Sequence, residues 1–304
     1  MELRDADLAV RTRGLTKSFG KRTVVDGLDL AIPRGGVYGF LGPNGSGKST
    51  TMKMLLGLLH PSAGQISLLG EAPWGEARAR LMPRIGSMIE HPPGYGHLTG
   101  AENMRLLARL LNLETTRIDR ALELVRLTDH RDRLQRTYSL GMKQRLGIAM
   151  ALAREPELLI LDEPTNGLDP AGIEEIRELM THLASGGVTV MISSHLLDEI
   201  DRMADVLGVL SRGRLVFQGS REELFERSIP DLLVVTPQAD AAANLIRGCR
   251  REKNGIRVQG CGQEDAARLI VRLVQAGIPI HEVHRLQQSL EEVFMDLTGG
   301  VGAL

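Results

Sequence analysis

The residues Gly42-Pro43-Asn44-Gly45-Ser46-Gly47-Lys48-Ser49 fit the pattern G-x-x-x-x-G-K-S, the order of groups that a chain of phosphates needs. Successive backbone N–H groups of a glycine-rich turn can point inward and approach phosphate oxygens closely. A helix opening at the end of that turn presents its positive N-terminus to the same anion. Lys48 would reach the terminal phosphates, Ser49 would offer its hydroxyl to Mg²⁺, and Thr50 continues the first turn. A second constellation is Leu158-Leu159-Ile160-Leu161-Asp162-Glu163, an apolar run that ends on two adjacent carboxylates. Such a placement is costly unless the acids meet a cation or solvent at a sheet edge. Beside a phosphate loop, Asp162 would hold Mg²⁺ and Glu163 would polarise an attacking water as general base. Taken alone, the pair also fits a helix cap or a solvated strand end.

These groups need a scaffold. The run Val37–Leu41 reads as a strand leading into the loop, and Met52, Leu55, Leu56 and Leu59 recur at helical spacing until His60-Pro61. Ahead of them, Leu8–Thr12, Val24-Val25 and Leu28–Ile32 read as strands. Ile85–Ile89 reads as another, followed by a Pro- and Gly-rich loop to Gly100. Helices are expected over about 101–111, 118–127 and 140–153, and Ile173, Ile176, Leu179, Met180 and Leu183 carry the helical period. Strand-like runs return at Leu158–Leu161, Val188–Ser193, Val206–Leu210 and Arg214–Phe217. Strands alternating with helices predict an α/β fold with a mostly parallel sheet covered on both faces. From about Ile229 the chain reads as a separate small α/β domain. Its strands are expected at Leu232–Val235, Ile256–Gln259 and Ile278–His284, and its helices at Ala239–Ile246, Glu264–Gln275 and Leu290–Leu297. The expected domains are therefore 1–228 and 229–304.

Composition narrows the function classes. Of 304 residues, 42% are apolar and 25% charged, enough to bury a sizeable core. Lys and Arg total 37 against 38 Asp and Glu, a net charge of −1 that argues against a general electrostatic nucleic-acid binder. Cys249 and Cys261 lack a ligand spacing and read as two reduced thiols. The opening residues lack the pattern of a signal peptide, and the longest apolar runs fall far short of the ~18 residues that a membrane span needs.

Further motifs carry a resemblance. Tyr138-Ser139-Leu140-Gly141-Met142-Lys143-Gln144-Arg145 is similar to the Leu-Ser-Gly-Gly-Gln signature of ABC transporter ATP-binding subunits. Ser139 and Gly141 match it, while Tyr138, Leu140 and Met142 depart. Asn166-Gly167-Leu168-Asp169 resembles the D-loop, and Ser193-Ser194-His195 resembles the segment of the switch histidine. Phe19 sits where the family stacks an aromatic on adenine. The match spans about residues 8–220. It implies a P-loop, RecA-like ATPase core with an N-terminal antiparallel β subdomain and an α-helical signature subdomain over about 90–153, followed here by the small C-terminal domain.

The resemblance also implies a mechanism. ATP would lie between the phosphate loop of one copy and Ser139 and Gly141 of a second copy, with Asp169 at the same interface. Glu163 and His195 would position hydrolysis. A separate membrane permease would hold the pair at the cytoplasmic face of the cell membrane. Where the family has a Gln that senses Mg²⁺, this chain has Glu90. That variant and the altered signature resemble the bacitracin-resistance and lantibiotic-immunity exporters. A soluble cassette acting in DNA repair or translation is the alternative. Repair-type members resemble cassettes with long coiled-coil insertions, yet Lys48 and Asp162 stand only about 115 positions apart without a heptad pattern. Translation-type members have two cassettes, and this chain has one. No nucleic-acid partner is expected. A phosphate-loop kinase would leave the signature and His195 unexplained.

Overall fold

The computed structural model describes residues 4–195, 200, 203–226, 228–287 and 290–298. Its centre is a parallel sheet made from the apolar runs: β4 (Val37–Leu41), β6 (Ile85–Met88), β7 (Leu158–Asp162), β8 (Thr189–Ser194) and β9 (Val206–Ser211). Every residue of β4, β7 and β8 is buried, as expected of strands covered on both faces. An antiparallel strand, β10 (Arg214–Gly219), completes the order β10-β9-β4-β8-β7-β6.

A second, antiparallel sheet precedes it. The long β1 (Leu8–Phe19) pairs with β2 (Arg22–Leu28), β3 (Ala31–Pro33) and β5 (Ala63–Leu68). The strand expected at Leu28–Ile32 is in fact broken between β2 and β3. The Thr12 hydroxyl spans the break, donating to Leu28 O at 2.7 Å and accepting from Leu30 N at 2.8 Å. β5 was not expected from sequence. Its first three residues are exposed and only Ile66 and Leu68 are buried, so its apolar signal is two residues long.

The helices of this part are α1 (Lys48–Leu55), α2 (Ala77–Leu81), α3 (Gly100–Leu111), α4 (Thr115–Leu124), α5 (Leu140–Leu152) and α6 (Pro170–Ser185). A capping box starts α3, where Thr99 Oγ1 accepts from Glu102 N and the Glu102 carboxylate accepts from Thr99 N. One core joins the two sheets and α1, with Val10, Ile32, Phe40, Leu55, Leu158 and Met191 all buried.

The chain divides into two compact units, the first running to Ser220 and the second over Arg221–Gly299. The division falls before the expected 228/229 because α7 (Arg221–Glu226) packs with α10 (Leu290–Thr298), inside the second unit. That unit continues as β11 (Asp231–Val235), α8 (Ala239–Leu245), β12 (Arg250–Glu252), β13 (Gly255–Val258), α9 (Gln263–Gln275) and β14 (Glu282–Leu286). The βαββαβ sequence and the antiparallel order β12-β13-β11-β14 make it ferredoxin-like. Its last strand begins later than the expected Ile278. Pro279 follows Ile278, whose side chain is buried in this unit's core, and pairing with β11 starts only at Glu282.

Candidate functional site

Parallel strands end together, and here their ends collect the chemistry. The register places Leu41 beside Ser194, Asp162 beside Ser193, and Met88 beside Leu161. The segments that follow are the Gly42 loop, Glu163, His195 and Glu90, so all leave the carboxyl edge of one sheet. This is where α/β sheets bind ligands.

The loop after β4 is built for close approach. A Cβ on Gly42 would lie 2.5 Å from Leu210 O, and one on Gly47 would lie 2.9 Å from Val24 O. Gly47 also has φ +111°, a conformation that favours glycine, and caps α1 with its backbone turned into the helix start. Pro43, Asn44 and Gly45 form the outer rim, with Asn44 and Gly45 exposed. Ser46 Oγ is buried and has no hydrogen-bond partner among the described residues. Ser49 and Thr50 lie half-buried in the first turn of α1.

Lys48 is only 5% exposed. Its ammonium donates to Gly42 O at 2.6 Å and to Pro43 O at 3.4 Å, and lies 3.5 Å from Glu163 Oε1. Burial pushes its pKa below the ordinary lysine range, and the Glu163 and Asp162 carboxylates oppose that shift.

Beyond β7, Glu163 sits at φ +50° and bridges two elements. Its other oxygen, Oε2, meets His195 Nδ1 at 2.5 Å. Ser193 braces the acid pair from the neighbouring strand: its hydroxyl donates to Asp162 Oδ1 at 2.6 Å and accepts from Glu163 N at 2.9 Å. Lys48, Asp162, Glu163 and His195 are thus brought into one cluster. Ser193 was not singled out from sequence. The signal was available, since a hydroxyl ending an all-buried apolar strand needs a specific partner.

The remaining predicted residues lie elsewhere. Ser139 is the N-cap of α5, its Oγ accepting from Met142 N at 3.2 Å. A Cβ on Gly141 would rest 3.4 Å from Leu168, and one on Gly167 would lie 2.5 Å from Leu140, so the signature turn abuts the segment before Asp169. Asp169 caps α6, accepting from Gly172 N at 3.1 Å. Phe19, at the β1–β2 hairpin, is 51% exposed with the Lys17 ammonium 5.1 Å from its ring centre. Glu90 Oε1 contacts Lys53 Nζ at 2.5 Å.

Among the described residues no group of three or more His, Cys, Asp or Glu side chains could hold a metal. Mg²⁺ does not require one, because it usually keeps one or two protein oxygens and takes the rest from substrate phosphates and water. The Ser49 hydroxyl and the Asp162 carboxylate, hard oxygens at the phosphate loop, fit that demand.

A phosphate loop, a paired acid and a histidine on the carboxyl edge of one parallel sheet define a nucleoside-triphosphate hydrolase. A family model described as ABC transporter matches residues 25–166. The bacitracin transport ATP-binding protein BcrA of Enterococcus faecalis is 39% identical over 304 residues, covering 97% of this chain and 98% of the relative. The lantibiotic transport ATP-binding protein SrtF of Streptococcus pyogenes is 44% identical over 226 residues, 72% of this chain and 97% of its own length. Among solved structures, CbiO1 of Clostridium perfringens, part of the ABC transporter complex CbiONQ, superposes with a TM-score of 0.66 at 30% identity, covering 73% of this chain and 92% of that one. The chain belongs to the ABC transporter family, as an ATP-binding cassette ATPase. These relatives lend no support to the alternative of a cassette acting on nucleic acid or ribosomes.

Proposed function

We propose that this chain hydrolyses ATP as one of two identical copies and so drives a separate membrane permease that exports a drug or peptide antibiotic. The observation that carries the chemistry is the Glu163 carboxylate, held between Lys48 at 3.5 Å and His195 at 2.5 Å. A carboxylate so placed can accept a proton from water while Lys48 offsets charge on the phosphates. The loop from Asn44 to Gly47 and the start of α1 would supply backbone donors, and Ser193 fixes both acids. Phe19 supplies an exposed face for a base. Ser49 and Asp162, with Glu90 nearby on the same sheet edge, would hold Mg²⁺, which when bound screens charge on the phosphate oxygens.

The need for a second copy rests on Ser139, Leu140 and the start of α5. Ser139 and Leu140 are exposed, and the N-terminal end of that helix is a donor for anions on another molecule. Permease docking is supported by an apolar groove of about 480 Å³ whose lining includes Leu58, Tyr95, Leu106 and Leu110, all exposed large side chains. Among the described residues no helix is long and apolar enough to cross a membrane. The transported class follows from relatives named for bacitracin and lantibiotic transport.

Glu163→Gln is the decisive variant. It is expected to keep ATP binding, lose turnover by roughly 10²–10⁴-fold and accumulate an ATP-bound dimer in size-exclusion chromatography. Parental turnover in that variant would remove Glu163 as the base.

A further inference from the structure

The carboxylate beyond β6 has a partner that the reading above does not use. Glu90 is the centre of a γ-turn, in which His91 N donates to Ile89 O at 2.8 Å and Glu90 takes φ +65°. For a residue with a side chain this is a strained bend, of the kind retained where its geometry is used. It brings Glu90 against α1, where Lys53 Nζ lies 2.5 Å from Glu90 Oε1. Lys53 follows Ser49 by four positions and therefore shares its helix face. The two side chains are 32% and 57% exposed, so as a surface ion pair they would contribute little to stability. Stability alone does not account for a strained turn that holds them. Lys53 also keeps the Glu90 carboxyl below the usual carboxylate range.

We propose that Lys53 is a positioning residue for the nucleotide site, holding the Glu90 carboxylate at the sheet edge and cancelling its charge so that it does not repel the triphosphate. This deepens the reading of Glu90 as a neighbour of Mg²⁺ and rests on it. A neutral side chain at position 90 would need no such counter-ion. A carboxylate does, because an uncompensated negative charge on the edge that receives the phosphates opposes their binding until the metal arrives.

The test measures binding of a non-hydrolysable ATP analogue to the full-length chain, first in EDTA and then across a MgCl₂ titration. In EDTA, Lys53→Met should weaken binding roughly fivefold, and the loss should shrink at high salt. Lys53→Arg should bind like the parent, and adding Glu90→Gln to Lys53→Met should restore parental affinity. In the titration, Glu90→Gln should raise the MgCl₂ needed for half-maximal binding. An unchanged titration for Glu90→Gln overturns its place beside the metal. A changed titration for Glu90→Gln overturns the role of Lys53 alone if Lys53→Met binds like the parent in EDTA, or if the double variant keeps the loss.

Discussion

In the first unit Lys48, Asp162, Glu163 and His195 gather beside the phosphate loop, whereas a buried charge network in the second unit closes on itself. Asp231 in β11 is fully buried; it accepts from Arg257 Nε at 2.7 Å and from Gly260 N at 2.9 Å. Arg257 also donates to Glu292 of α10 at 2.6 Å. That network uses its charges to tie a helix to a sheet. In the first unit, Ser46 Oγ has no hydrogen-bond partner among the described residues, and Lys48 is held by loop carbonyls and by the acid that would act as base. The contrast separates a loop and acid pair whose chemistry suits phosphates from a salt-bridge network that ties a helix to a sheet.

If the contrast holds, damage in the two units has different readouts. Lys48→Ala should cost the most, roughly 10²–10³-fold or more in turnover, with nucleotide affinity lost as well and the melting temperature little changed without nucleotide. ATPase rates near the parental value would break the comparison at its first term. Arg257→Met should remove the Nε donor to Asp231 and the link to Glu292, destabilising the second unit by about 1–3 kcal/mol. Differential scanning calorimetry should show that unit melting earlier, while nucleotide binding by the first unit stays parental. Lost nucleotide binding would show that the second unit is not energetically separate.

The phosphate loop, Asp162 and Glu163 stood out in the sequence because their chemistry constrains neighbouring residues, with glycines where backbone must approach and an acid where an apolar strand runs out, whereas His195 stood out only through the family resemblance. The strands β4, β7 and β8 were legible for a related reason, since burial on both faces leaves an unbroken apolar run. β12 was not, because Arg-Arg-Glu at a sheet edge carries no burial signal at all. Neither was the break at Asp29-Leu30, which depends on a hydroxyl 18 positions from Leu30. Lys53 escaped for the same reason, since its partner Glu90 lies 37 residues away and no local spacing announces it. For Ser193 the sequence shows a strand-end hydroxyl in need of a partner, but not that Asp162 and Glu163, 30–31 residues away, supply it.

Ser193 tests the comparison most finely, because one buried hydroxyl braces the acids beside the phosphate loop. Ser193→Ala removes the acceptor for Glu163 N and the donor to Asp162 Oδ1, leaving two polar groups at the sheet edge short of a partner, at a cost of about 1–3 kcal/mol. If Ser193 were only a structural bond like those of Asp231, that cost would appear in the melting temperature and leave kcat unchanged. The reading of Ser193 as a brace for the acids expects a split. Glu163 stands at φ +50°, a conformation that needs its surroundings to hold it, so losing the brace should let the carboxylate wander from its place between Lys48 and His195. The expected result is a kcat lowered by roughly tenfold with KM for ATP nearly unchanged, since an interaction that matters only in the transition state lowers kcat without weakening substrate binding.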